Sequence, residues 1–269
     1  MKFQTEKISS ELFEVGSEQR LSILLHLNEK KWSISALAKE IEATITEVHR
    51  NFGRLQKAGL ILKDTDGTFF LTTRGENICN LIPSISFVLD NTKYFETHDF
   101  GILPIKFKER IGELYEQKYV KGVVRVLEKW KQIHNNANQY IYNVLTEVPY
   151  SNDIIDIVEK KLIKDVKIKS IFSESTIIPD EREKVFKEKN FSKFLKNESL
   201  IRRMIKRVPV VILLNEKEAG IIFPSLNGEP DMSEMFYSED TQFHEWCLDY
   251  FDHCWKESHS FQESKLKEK

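Results

Sequence analysis

The residues best placed to do chemistry in this sequence are basic side chains between residues 44 and 63. They are Arg50, Arg54, Lys57 and Lys63. Glu47 is the only acid among them, so the segment has a net charge of +3 in a chain whose net charge is −2. Arginine can donate two hydrogen bonds to guanine in the major groove, and lysine can pair with phosphates. Because the whole chain is slightly acidic, nucleic-acid binding would have to depend on this local patch.

The spacing of apolar residues predicts the elements that would position the patch. Residues 17–28 have the periodicity of a helix, and Ser35 can cap a second, shorter helix. A third helix is predicted from Thr44, because Thr44 and Glu47 have the spacing of a capping box, and it ends near Gly59. The strand-like runs 60–62 and 68–71 then flank an Asp-Gly turn, a strong hairpin signal. This order predicts a winged helix-turn-helix, with the hairpin as the wing.

On the third helix, Val48, Phe52 and Leu55 occupy the core face, and the polar residues between them turn outward. The wing adds groups that can contact phosphates. The predicted DNA-binding residues are Thr44, Thr46, His49, Arg50, Asn51, Arg54, Lys57, Lys63, Thr65, Thr68 and Arg74. A basic helix alone is more often a solvated face, but the capping box and the Asp-Gly wing favour DNA binding.

A further helix is predicted over residues 73–90, with Pro83 kinking it or beginning a new segment. Its apolar surface exceeds what one small domain can cover, which predicts a homodimer. The apolar residues are Ile78, Leu81, Ile82, Ile85 and Val88. Residues 91–104 are the best linker candidate, and we expect a winged-helix domain over residues 1–91, an α/β domain over 92–260 and a charged tail over 261–269.

The second domain is predicted to contain helices over 106–119 and 120–136, followed by a strand, helix and strand over 139–148, 153–163 and 166–172. That spacing indicates a right-handed crossover between parallel strands. Strands 209–214 and 219–223 and a helix from 241 to 256 complete it. Ligands bind beyond the carboxyl ends of such strands. The predicted effector site is Thr146, Glu147, Tyr150, Ser173, Glu174 and Ser175, although these residues could equally cap the following helices.

Two other clusters have competing interpretations. Residues 181–207 have a net charge of +6, which fits a second nucleic-acid surface but more often marks a solvated face. His244, Cys247 and Cys254 could approach a zinc site, but the cysteines also belong to an apolar stripe on one helix. We favour the buried stripe and predict no metal and no cofactor.

Cellular location is predicted from what the sequence lacks. It contains no apolar run long enough to cross a membrane and no signal peptide. Its three cysteines include no Cys-x-x-Cys pair. We therefore expect a cytoplasmic protein with no membrane partner.

Two segments resemble known families. The runs ISALAKEI at 34–41 and TITEVHRNFGRLQKAGLI at 44–61 resemble the recognition region of ArsR-type archaeal and bacterial winged-helix regulators. The runs KERIGEL at 108–114, EAGIIFP at 218–224 and GEPD at 228–231, with residues 243–255, resemble the middle domain of archaeal regulators related to the methanogen filamentation regulator FilR. The second resemblance implies a phospholipase D-like domain that has lost catalysis.

The sequence agrees with a loss of catalysis. Phospholipase D chemistry needs His-x-Lys, because histidine attacks phosphorus and lysine stabilises the phosphoryl oxygens. None of the seven histidines is followed two residues later by lysine, and no Gly-rich phosphate loop or Gly-x-Ser-x-Gly motif occurs. We expect a dimeric transcriptional regulator that binds double-stranded DNA and is not an enzyme, and whose second domain senses a small-molecule effector or mediates oligomerisation. The alternative is a winged-helix adaptor that regulates no promoter.

Overall fold

The computed structural model describes residues 4–147, 152–178, 182–262 and 267–268. The chain forms two compact units, Met1–Ile85 and Ser86–Lys269, each with its own hydrophobic core. The division falls inside one long helix, and the predicted boundary after residue 91 lies just beyond the end of that helix. None of the helices in the described ranges is both long and apolar enough to cross a bilayer.

The first unit is a winged helix. In chain order it contains α1 (Thr5–Val15), α2 (Glu18–Glu29), α3 (Ile34–Glu40), α4 (Ile45–Lys57), β1 (Ile61–Lys63), β2 (Phe69–Leu71) and most of α5 (Thr73–Asp90). The strands β1 and β2 pair antiparallel, with Ile61 opposite Leu71. The predicted order of helix, turn, helix and hairpin is therefore confirmed.

The sequence of α4 explains where it begins and ends. The backbone N–H of Glu47 donates to Thr44 Oγ1 at 3.2 Å, and the Glu47 carboxylate accepts from the N–H of Thr44 at 3.1 Å. This is the predicted capping box, which satisfies two amides that the first turn leaves free. At the other end, Gly59 has a φ of +69°, a conformation that favours glycine.

Two details of the first unit differ from the prediction. The short helix α3 begins at Ile34 and is capped by Ser33, whose hydroxyl accepts from the N–H of Ala36, and not by Ser35. Ile34 packs against the core, so the helix starts two residues earlier than predicted. The helix α5 continues through Pro83 as a single element; there the proline removes one backbone donor without ending the helix.

The second unit is an α/β domain. Its elements are α6 (Thr92–Phe95), α7 (Ile105–Lys108), β3 (Lys118–Lys121), α8 (Val123–Asn136), β4 (Tyr140–Glu147), α9 (Asn152–Ile163), β5 (Lys167–Ile178), α10 (Arg182–Glu188), α11 (Ser192–Lys196), β6 (Leu200–Ile205), β7 (Val211–Asn215), β8 (Ala219–Ile222), β9 (Glu234–Ser238), α12 (Thr241–Glu257), β10 (His259–Ser260) and β11 (Lys267–Glu268). Among the described residues, nine strands form one sheet in the order β10-β6-β5-β4-β7-β8-β9-β3, with β11 paired to β5. The strands β4, β5 and β6 are parallel, which confirms that the two strands predicted over 139–148 and 166–172 are parallel neighbours.

The middle of the sheet is buried on both faces. Every residue of β7, β8 and β9 is buried, and successive residues point to opposite faces. The helices α8 and α12 pack on these strands. On α12, the indole N–H of Trp246 donates to the Phe107 carbonyl at 3.2 Å, so a large buried side chain keeps its hydrogen bond.

Two predictions for the second unit are wrong. The helix expected over residues 106–119 is instead α7, a 3-10 turn at Ile111–Leu114 and the edge strand β3. The proposed linker at 91–104 packs into the core, where Tyr94 and Leu103 are buried. In both cases the apolar residues are buried by tertiary contacts that local periodicity does not show.

Candidate nucleic-acid interface

The outward face of α4 is open along its length. Thr46, Arg50 and Lys57 recur at helical spacing and are exposed, and His49 is exposed beside them. Arg50 makes no hydrogen bond or ion pair within the part of the chain that the structure describes. A side chain built at Gly53, in the middle of this face, would meet no atom within 4 Å. The face can therefore approach a flat or grooved surface closely.

Asn51 does not belong to this face, and its assignment to DNA is wrong. Its side chain is 4% exposed, and its amide donates to the Gln19 side chain of α2 at 2.6 Å. It lies beside the buried Val48, Phe52 and Leu55. Its amide therefore holds α4 against α2.

Arg54 is already occupied by an acidic partner. Its Nε and a terminal nitrogen donate to the two oxygens of Glu14 on α1, at 3.0 and 2.6 Å. The bond from Arg54 lowers the pKa of the Glu14 carboxyl. Arg20, which is buried, lies on the other side of this carboxylate, with 3.5 Å between the Nε of Arg20 and a Glu14 oxygen. A two-pronged arginine–carboxylate pair uses the same donors that would contact guanine.

Arg74 is held in the same way. Its guanidinium donates to the Ala58 carbonyl at 2.6 Å and pairs with Glu11 of α1 at 2.6 Å. Carboxylates of α1 therefore neutralise two of the cations that the sequence assigned to DNA. These partners are distant in sequence, and no local motif could have revealed them.

On the wing, Lys63 is exposed and has no ion-pair partner among the described residues. The Thr65 hydroxyl donates to Asp64 at 3.3 Å, and the Thr68 hydroxyl donates to Asp66 at 2.6 Å. Both threonines therefore stabilise the turn between the strands. Thr44 is likewise committed to its capping box. The cations that remain available on this surface are Arg50, Lys57 and Lys63.

Part of the predicted effector site lies within a strand and not beyond the end of one. The strand β5 does not end at Phe172 but continues to Ile178, so Ser173, Glu174 and Ser175 are strand residues and not a loop beyond the strand. Pairing with β6 extends through Ser173, and the register with β4 shifts after Phe172. Glu147 ends β4, and Tyr150 lies outside the described residues.

The described members of this set contact groups of their own unit. Glu174 lies 2.7 Å from the Nε2 atom of His259. The hydroxyls of Ser173 and Ser175 are 2.8 Å apart, and Thr146 is half-buried. The assignment of an effector to this edge stays a prediction.

A separate polar cavity of about 410 Å³ opens at the end of α8. Its lining residues are Asn135, Asn136, Asn138, Lys217, Glu218 and Glu239. The buried Glu218 carboxylate accepts hydrogen bonds from Asn136, Asn215 and Tyr237 at 2.8, 3.1 and 2.5 Å. The volume is within the range of small-molecule sites. This cavity shares no lining residue with the predicted effector site.

Several residues of the remaining candidate clusters have partners within the second unit. Cys247 and Cys254 are buried in the core, and burial raises the pKa of the Cys254 thiol to about 12. The Nε2 atom of His244 lies 2.7 Å from the Asn215 carbonyl. In the basic block, Lys189 pairs with Asp156 and Glu159 of α9 at 2.7 and 2.6 Å.

Comparison with known proteins gives similarity of fold only. No protein-family model and no curated protein matches the chain. TrmBL2, described as an archaeal chromatin protein with a novel mode of DNA binding, aligns at 14% identity over 90% of this chain and 93% of its own, with a TM-score of 0.43. Nuc from Salmonella typhimurium, a phospholipase D family member, aligns at 12% identity over 55% of this chain and 100% of its own, with a TM-score of 0.37. Reduced HlyU from Vibrio cholerae aligns at 22% identity over 30% of this chain and 95% of its own, with a TM-score of 0.26.

These similarities bring neither an activity nor a site residue to this chain. The predicted order of a winged helix followed by an α/β domain is confirmed by the observed elements. The more specific ArsR-type and FilR-like resemblances stay predictions.

The Glu14–Arg54 pair predicts a pH-dependent part of the stability. Because the folded state lowers the pKa of Glu14, the pair stabilises the fold at neutral pH, and this contribution is lost as pH falls and the carboxyl is protonated. We expect Glu14→Gln to unfold at lower urea concentration than wild type at neutral pH, with a difference that narrows on acidification. Glu6→Gln, which removes an exposed carboxylate with no partner among the described residues, is the matched control. If the difference in urea concentration at unfolding between Glu14→Gln and wild type is the same at every pH, this account is contradicted.

Proposed function

We propose that this chain is a sequence-specific DNA-binding transcriptional regulator whose helix α4 enters the major groove. The observation that carries the proposal is the free, exposed guanidinium of Arg50 on the second helix of a helix-turn-helix. In this motif the second helix contacts base edges, and arginine is the side chain that most often contacts guanine. Lys57 and Lys63, which are both exposed, would contact phosphates.

Replacing Arg50 and Lys63 separates base recognition from phosphate contact. We expect Arg50→Ala to weaken binding to a selected sequence by about 1–3 kcal/mol with little effect on random DNA. Lys63→Ala should weaken binding to both alike and reduce the slope of log K against log salt by about 1. The measurement is fluorescence anisotropy of the full chain with DNA enriched from a random pool. Equal losses on both DNAs for both variants would contradict the assigned recognition helix, and failure to enrich any sequence would favour the adaptor alternative.

Gly53 gives a prediction in which stability and binding change in opposite directions. Glycine inside a helix costs about 1 kcal/mol relative to alanine, and space for a methyl group is open at this position. We expect Gly53→Ala to raise the free energy of unfolding while weakening binding to the selected DNA, because the added methyl would hinder close approach of the helix. Urea titration and anisotropy on the same sample measure the two effects. Unchanged DNA affinity would show that the groove does not approach this part of α4.

The regulator is proposed to act as a homodimer. On α5, Leu81 and Leu89 are 61% and 65% exposed, and Ile85 and Val88 continue the same stripe. Ile78 packs against the core of the first unit, so the exposed part of the stripe begins after it. Two copies that cover these residues would also present two recognition helices to an inverted site.

Charge placed on this stripe should separate the subunits. Light scattering of wild type should give twice the chain mass of 31.7 kDa, whereas Leu81→Glu combined with Leu89→Glu should give a single chain. Leu25→Glu, at an exposed leucine on α2, is the control and should leave the dimer intact. A wild-type monomer at micromolar concentration that binds an inverted site tightly would remove the homodimer from the proposal.

For the second unit we propose a role without catalysis, in sensing a ligand or in mediating oligomerisation. The absence of His-x-Lys from the sequence supports a role without catalysis. The polar cavity at the end of α8 supports a role in sensing, because amide and carboxylate groups there could bind a polar or cationic small molecule.

A further inference from the structure

One apolar side chain of α4 lies largely exposed at the start of the helix. Ile45, the first residue of the helix, is 60% exposed, whereas Val48, Phe52 and Leu55 of the same helix are almost completely buried. Exposed neighbours surround it, namely Thr44, Thr46 and His49. A β-branched residue is also not favoured by helix propensity at an exposed position. Neither the core nor the helix accounts for an isoleucine here.

The start of α4 does not need Ile45 either. Helices often fix their entry angle by a contact between the residue before the cap and the fourth helical residue. Those positions are Ala43 and Val48, and both pack in the core of the first unit. The capping box is completed by Thr44 and Glu47 without the isoleucine.

Its position instead suits the floor of a major groove. Side chains on a helix lean toward its N-terminus, so Ile45 projects from the leading end of α4. In a helix-turn-helix, the N-terminal residues of the recognition helix contact the base edges. The apolar feature on those edges is the 5-methyl group of thymine.

We propose that Ile45 determines sequence specificity by packing against a thymine methyl group, while Arg50, five residues further along α4, contacts guanine. This inference rests on the proposed DNA-binding function and adds the chemistry of one recognised base. Burial of one methyl-sized group corresponds to about fourfold in affinity. The site bound by each subunit would therefore contain a thymine whose methyl group, and not only its hydrogen-bonding pattern, is recognised.

The test removes the methyl group from the DNA and the isoleucine from the protein. Full-length protein is used to enrich DNA from a random pool, and each thymine of the enriched site is then replaced in turn by deoxyuridine, which lacks only the 5-methyl group. Binding is measured for wild type, Ile45→Val, Ile45→Ala and the control Leu25→Ala. We expect the affinity of wild type to fall about fourfold when deoxyuridine replaces thymine at one position of the site. Ile45→Ala should bind the thymine DNA about fourfold more weakly than wild type and should no longer distinguish thymine from deoxyuridine. Leu25→Ala should behave as wild type. Ile45→Val should keep part of the discrimination, and thermal unfolding should show all variants folded.

The possible failures are distinct. If Ile45→Ala discriminates thymine from uracil as strongly as wild type, or if wild type never discriminates, the inference is overturned while DNA binding stands. If Ile45→Ala binds every DNA as wild type does, a protein partner becomes the better occupant, and the thymine assignment is again overturned. If no sequence is enriched at all, the proposed function itself fails.

Discussion

Burial of one face of α4 is the constraint on which the candidate interface depends. Val48, Phe52 and Leu55 are buried, and the ring of Phe52 meets Phe69 of the wing edge-on with ring centroids 4.6 Å apart. Loss of the phenyl ring from such a position costs about 3–5 kcal/mol, far more than any exposed ion pair contributes. The rotation of α4 about its axis is therefore set by its core side, and the face with Thr46, Arg50 and Lys57 follows from it. Asn51 strengthens this arrangement through Gln19.

In the second unit, buried polar groups also constrain the packing of the elements around them. In the turn between β7 and β8, a buried carboxylate at Glu218 must be compensated, and hydrogen bonds from Asn215, Asn136 and Tyr237 do so. Burial raises the pKa of the Tyr237 hydroxyl, so that it remains a donor to Glu218. The groups near the cavity thus belong to a network that also holds α8, β7 and β9 together. Under the proposed role in ligand sensing, a ligand bound there would act on the packing of the unit.

The sequence predicted what depends on neighbours along the chain. The capping box at Thr44, the left-handed Gly59 and the Asp-Gly hairpin are local, and all three are present. What it could not predict depends on distant partners. Arg54 looked free in the sequence because its partner, Glu14, belongs to another helix. The helical spacing of Phe107, Ile111 and Leu114 predicted a long helix, but tertiary packing produces turns and an edge strand there. Periodicity shows that residues are buried, but not what buries them.

Under the proposed function, the ion pairs of the first unit affect how DNA would be recognised. With Arg54 and Arg74 paired to carboxylates of α1, two of the predicted DNA-binding cations are not left for phosphates, and nonspecific affinity grows with the number of phosphates neutralised. A surface with few phosphate contacts gains little from random DNA, so base contacts make up a larger share of its binding energy. Under the proposed function, the acidic residues of α1 would raise specificity by lowering the nonspecific background, without touching a base. Arg50 and Ile45 would then supply the two kinds of base contact, one polar and one apolar, that distinguish a site from its surroundings.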